Sequence, residues 1–319
     1  MSTNNTTVKT RDEYVDVAKG LCMLFVVCIH AEVFGVLGMS FTFIAVPMFF
    51  FLSGFYDRSE RPFSSWLVKS ARTLLLPGVI WLAIGLAYVA ALSYAHKGSY
   101  TFTNTVYDPF VGNGAVWFLF ALFYAKVILG ALLRLKLPKW CVLAICVGGG
   151  YLGMAQQMPL CLDEGLAALP LYCLGKFSYP YIKQVFGRIL LCLIGTAAIV
   201  LFLMHFLEYT IVPVANGCFS PNYIFAFVSI VLSFIPVLRI CKIIDSWTWL
   251  ANFGRHSLGI MLTHMMMCHT AAVVLKRVFV EGSTPWIISF LAAYVVICFT
   301  AYWLTILIER YCPILLGKK

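Results

Sequence analysis

Apolar runs recur along the chain from residue 15 to residue 309, broken by short polar or Gly/Pro-bearing stretches. Read against those breaks they give ten segments: 15–37, 41–57, 71–94, 114–135, 139–157, 163–178, 186–208, 222–241, 250–275 and 285–309. Most approach the roughly twenty residues that an α-helix needs to cross a bilayer. They are continuous and lack the period-two alternation of a membrane β-barrel. The pattern therefore predicts an all-α, polytopic membrane protein of about ten transmembrane helices. The sixth segment carries Pro170 and Gly175 and is expected to kink or to be partly re-entrant. Residues 1–10 are polar and read as a short disordered cytoplasmic tail rather than a cleavable signal, since no small-residue cleavage site follows the first apolar run. Residues 11–319 read as one integral-membrane domain.

Composition excludes a soluble domain, because 62% of residues are apolar and only 11% charged. The net charge of +10 would suit a nucleic-acid partner, but its distribution argues otherwise. With the amino terminus inside, 18 of the 23 Lys and Arg residues fall in cytoplasmic segments and 3 (Lys97, Lys276 and Arg277) in outer ones. Such a bias orients a membrane protein, with both termini cytoplasmic here. No nucleic-acid partner is expected. The twelve cysteines form no C-x-x-C pair, so neither zinc nor a disulfide framework is signalled, and no metal is expected. Cys161 and Cys218 fall in two outer loops and could pair.

Against this background the polar residues inside the segments stand out. In "VDVAKGLCMLFVVCIH" (residues 15–30), Lys19 and His30 are eleven residues apart and return to nearly one helical face, with Asp16 about 40° away. Ionisable groups at membrane depth face a cavity or a partner rather than lipid. His30 lies about 16 Å beyond Lys19 along the axis, near the expected bilayer middle. A neutral imidazole there can take or give a proton near pH 7. It can equally be a structural histidine bonded to a neighbouring helix.

Four further stretches carry candidate chemistry. "VPMFFFLSGFYDRSERPF" (46–63) ends an apolar wedge in Ser53, Gly54 and Tyr56, where small residues favour close helix packing. Arg58, Arg61, Lys69 and Arg72 then form a basic inner edge, suited to anionic lipid headgroups or to a polyphosphorylated cytosolic ligand. In "GNGAVWFLFALFYAK" (112–126) a flexible outer turn precedes Trp117, placed for the outer interface or for stacking on a sugar ring, while Lys126 lies deeper and snorkels or pairs. In "FGRHSLGIMLTHMMMCH" (253–269) Ser257 and His264 share a face, and a second intramembrane histidine favours a polar cavity.

Taken in order, these pieces resemble the family-3 integral-membrane acyltransferases, within them the fucose 4-O-acetylase-like and polysaccharide O-acyltransferase branch. "RDEYVDVAKGLCMLFVVCIH" resembles that family's opening segment, "VPMFFFLSGFY" its second span, and "VKSARTLLLPGVIW" its basic entry to the third. "VWFL", "LAALPLYCLGKF" and "FGRHSLGIMLTH" follow in the expected places. The resemblance implies transfer of an acyl group, most often acetyl from acetyl-CoA at the cytoplasmic side, to a hydroxyl of an extracytoplasmic glycan or glycolipid. It implies a catalytic role for His30, as general base or acyl carrier, with Asp16 and Lys19. On the donor side it suggests Lys19, Arg58, Arg61, Lys69, Arg72 and Ser53, and on the acceptor side Glu32, Trp117, Tyr56 and His264. Lys19 stands where arginine is commoner in the family, which keeps the charge and loses the bidentate fork. The fourth segment reads "WFLFALFY" in place of the Glu-bearing "WSLAVE"-like motif of other branches, so their acceptor chemistry does not transfer.

The expected setting is the cytoplasmic membrane of a bacterium, among membrane lipid, with homo-oligomerisation left open. The other function class this pattern fits is a polytopic transporter or exporter of a glycan or small solute, in which buried His and Lys couple protons.

Overall fold

The computed structural model describes residues 12–31, 35–97, 113–185, 187–208, 223–280 and 283–318. The expected tail, Glu32 and Cys218 lie outside the described residues. Among the described residues the chain is helical and contains no strand, so it is an all-α protein. We number the helices α1 (Glu13–His30), α2 (Gly35–Phe55), α3 (Phe63–Ser70), α4 (Leu76–Lys97), α5 (Trp117–Arg134), α6 (Lys139–Ala155), α7 (Leu162–Ser178), α8 (Ile182–Val185), α9 (Ile189–Glu208), α10 (Tyr223–Ile243), α11 (Thr248–Arg255), α12 (Ser257–Val278) and α13 (Thr284–Tyr311). Within the described residues five stretches are long and apolar enough to cross a membrane by length and composition: 63–91, 114–134, 223–243, 257–278 and 284–311. Shorter apolar helices include 44–55, 139–155 and 189–201.

The apolar pattern located the helices well and their ends less well. The first segment was expected to reach residue 37, but α1 stops at His30, where Ala31 turns out of helical geometry with ψ near 2°. His30 is therefore the last residue of its helix and not an interior one. The third segment starts earlier than expected, at Phe63, and passes through a π-helical turn at Ala71–Leu75. Lys69, which precedes the expected segment, accordingly sits on helix, and Arg72 falls in the π-helical turn. The ninth segment is broken at His256, which separates the short α11 from α12. The sixth, α7, is a continuous helix through Pro170, and it packs against α2, α5 and α6. α13 begins as sequence rules favour, with Ser283 accepting a bond from the Trp286 amide and Pro285 in the first turn.

Two helices organise the bundle. α7 packs against α2, α5 and α6, and α1 packs against α2, α10, α11 and α12. Both depend on glycines at the contacts. A Cβ at Gly175 would lie 2.0 Å from the Phe51 carbonyl oxygen, and one at Gly54 2.2 Å from that of Tyr172. Along α1, a Cβ at Gly20 would lie 2.2 Å from the Leu250 carbonyl oxygen. Small residues let these backbones touch, which is how apolar helices gain packing energy in lipid. Gly175→Leu should accordingly lower the melting temperature of the detergent-extracted protein, whereas Gly148→Ala, with nothing within 4 Å of its new methyl, should not. Equal melting of the two variants would contradict this packing.

Polar bonds tie the helix ends together. Asp12, at the start of α1, accepts bonds from Tyr179 and Lys183 beyond α7. Asp16 accepts from Arg255 at the end of α11. Glu309 near the end of α13 pairs with Lys318. Of these residues Lys183, Arg255 and Lys318 were expected on one side of the membrane from the distribution of basic residues.

Candidate active site

The face of α1 that carries Asp16, Lys19 and His30 meets three different partners. Asp16 is buried, 2% exposed, and its Oδ2 accepts from Arg255 Nε at 3.2 Å. Arg255 also donates to Glu13 and Asn252, so it clamps the start of α1 to α11. Asp16 stands about 21 Å along the helix from His30, too far to orient that ring. Lys19 places its ammonium 5.5 Å from the centre of the Tyr56 ring, a cation–π distance. Tyr56 is thereby located beside Lys19, at the same end as the basic edge.

His30 faces His264. The two ring centroids are 5.3 Å apart with planes inclined at 49°. His264 is completely buried, and its Nδ1 lies 3.0 Å from the Ile260 carbonyl oxygen. His30, in contrast, keeps part of its surface accessible. So two histidines 234 residues apart in sequence are brought together, one partly accessible and one sealed.

Arg58, Arg61, Lys69 and Arg72 are all exposed, and none makes an ion pair among the described residues. Their neighbours are engaged instead. Arg134 donates to the Ser59 and Arg61 carbonyls at 2.9 and 3.0 Å and covers the Phe63 ring at 4.7 Å. Lys126, left to snorkel or pair, lies 5.9 Å from the Trp66 ring centre. Ser53 spends its hydroxyl on the Phe49 carbonyl of its own helix at 2.7 Å, leaving it a packing residue there.

Sequence reasoning missed the carboxylate that holds this edge. The Asp57 side chain, 1% exposed, accepts from Tyr172 Oη at 2.9 Å, from Lys176 Nζ at 2.9 Å and from the Ser59 amide and hydroxyl. Burial alone would raise its pKa, but the bonds from Ser59, Lys176 and Tyr172 outweigh it and hold the carboxyl below the usual range. Lys176 also reaches Glu60. The available signal was the pair of opposite charges at the ends of two segments, "GFYD" and "LGKF".

On the opposite side, the turn before Trp117 is anchored. Asn113 is buried and its Nδ2 donates to the Leu262 carbonyl at 2.8 Å, so the expected flexible turn is pinned to α12 at this residue. Trp117 is partly exposed and packs 6.2 Å from Phe50, ring to ring. An apolar cavity between α2, α7 and α10 is lined by Pro47, Phe50, Leu171, Tyr223, Phe227 and Ile230, and His30 does not line it.

A family model described as an acyltransferase domain matches residues 12–310, nearly the whole chain. The chain belongs to the family-3 acyltransferases. No match to a curated protein or to a solved structure was found. The long apolar helices and this membership together make it a multi-pass membrane acyltransferase. The match spans both histidines, the basic edge and the Asp57 network.

Proposed function

We propose that this membrane acyltransferase takes an acetyl group from acetyl-CoA at the cytoplasmic face and delivers it to a hydroxyl of an extracytoplasmic glycan or glycolipid. The branch that fits is the fucose 4-O-acetylase-like and polysaccharide O-acyltransferase one, in a bacterial cytoplasmic membrane. The observation that carries the reading is the contrast within one domain between an exposed, uncompensated set of cations and a partly accessible imidazole on a different helix. Phosphates of coenzyme A suit the first, since arginine binds phosphate bidentately and lysine as a point charge. A hydroxyl to be activated suits the second.

In this mechanism Arg58, Arg61, Lys69 and Arg72 hold the nucleotide phosphates, and Lys19 beside Tyr56 lies between that edge and the histidine pair. His30 removes the proton of the acceptor hydroxyl as its oxygen attacks the thioester carbonyl carbon. The C–S bond then breaks, and the proton passes from His30 to the departing sulfur, giving ester and free thiol. Glu32 and Trp117 are assigned to the acceptor. Asp16 acts through Arg255 by fixing the start of α1, rather than on the reacting groups.

Membranes carrying the protein, given radiolabelled acetyl-CoA, should transfer label to a glycan fraction. Flux of an unmodified solute without CoA release would favour the transporter reading instead. Arg72→Ala should raise the KM for acetyl-CoA several-fold with little change in saturated turnover. An unchanged KM would remove Arg72 from the donor site.

A further inference from the structure

We infer that His264 is a positioning residue for His30: its Nε2 accepts the His30 N–H and so fixes which His30 nitrogen faces the acceptor. The inference rests on the acyltransferase reading above and concerns a residue that touches neither substrate. It begins with a tautomer. A carbonyl oxygen only accepts, so the 3.0 Å contact between His264 Nδ1 and the Ile260 carbonyl requires the proton on Nδ1. In a neutral ring Nε2 is then a bare lone pair. That atom is buried and has no hydrogen-bond partner among the described residues.

A buried acceptor without a donor costs roughly 1–3 kcal/mol, and native structures keep few of them. The nearest ring is His30, at 5.3 Å between centroids. An N–H···N bond of about 3 Å between two imidazoles needs about this centroid separation when the nitrogens lie between the rings. Side-chain rotation of His30 would complete it without moving either helix. The sealed ring then plays the part that a buried hydrogen-bond acceptor plays behind any catalytic histidine. It holds one nitrogen as N–H and leaves the other as a lone pair on the accessible side. When His30 takes the acceptor's proton, the imidazolium keeps its bond to His264, which is not itself protonated. The proton then leaves on the CoA sulfur, and both rings return to their starting state.

The test compares His264→Leu, His264→Gln and His30→Ala in one acetyl-transfer assay, with thermal melting alongside. His264→Leu removes the acceptor at similar volume, and its kcat should fall about 10²-fold with both KM values within twofold of wild type. His264→Gln keeps a side-chain carbonyl and should recover a substantial part of that loss. Wild-type kcat in His264→Leu with an inactive His30→Ala would overturn the inference and leave the acyltransferase reading standing. Loss in His264→Leu that Gln does not restore, or that appears in KM, would also overturn it. Should His264→Leu fail to melt cooperatively, the Gln variant decides alone: kcat below wild type with KM unchanged supports the role, and a shifted KM or a lost fold contradicts it. Activity retained in His30→Ala would instead strike the reading beneath.

Discussion

His30→Ala is expected to cut acyl transfer by about 10²- to 10⁴-fold, the span of general-base removal, while the protein still extracts and melts cooperatively, with the modest loss of stability that an unpaired His264 nitrogen brings. That range corresponds to about 3–5 kcal/mol of lost transition-state stabilisation. The expectation of intact folding comes from the position of the residue. His30 ends α1, keeps part of its surface accessible, and its ring contact is with His264. Removing the ring breaks no backbone bond. The loss should appear in kcat, since the ring acts on the proton in flight rather than on substrate binding. Full turnover in this variant would end the catalytic assignment, and a collapsed melting transition would recast His30 as structural.

The second large effect is expected at Asp57. Asp57→Ala should destabilise the protein by about 3 kcal/mol, as for a buried ion pair deprived of one partner. The Tyr172 hydroxyl and the Lys176 ammonium would lose an acceptor, with Glu60 keeping only part of the compensation for Lys176. The pH dependence has a definite sign. The Asp57 carboxyl is held below its usual range in the folded state, so its contribution is complete above the unfolded carboxylate pKa of about 3.9. It is lost as pH falls through the folded value. The melting gap between wild type and Asp57→Asn should therefore stay constant from pH 8 to pH 5 and narrow only below about pH 4. A gap that widened on acidification would contradict the bonding described. Because Asp57 adjoins Arg58, the same variants should also bind acetyl-CoA more weakly.

Much of this architecture was legible in the sequence, for identifiable reasons. Apolar runs mark helices because lipid allows few other structures. Hence α5, α6, α7 and α13 begin and end within a few residues of expectation. Two ends were missed. α1 stops at His30, and α11 breaks from α12 at His256, where the ring bonds the Asn252 carbonyl and approaches Glu309. The site shows the same division. His30 and the exposed basic edge stood out because charge in an apolar chain is conspicuous. The partner of Asp16 did not, since Arg255 lies 239 positions away and only packing of α1 against α11 brings it near. His264 was visible as a polar residue in an apolar helix, but its proximity to His30 is a property of the bundle.

The measurement that bears most directly on the account is an experimental structure with a non-transferable acyl-CoA analogue bound. The account predicts phosphates among Arg58, Arg61, Lys69 and Arg72, and the acyl carbon within about 4 Å of a His30 nitrogen. An analogue lodged elsewhere, with the His30 ring enclosed by hydrocarbon side chains and no channel from it to either surface, would contradict it.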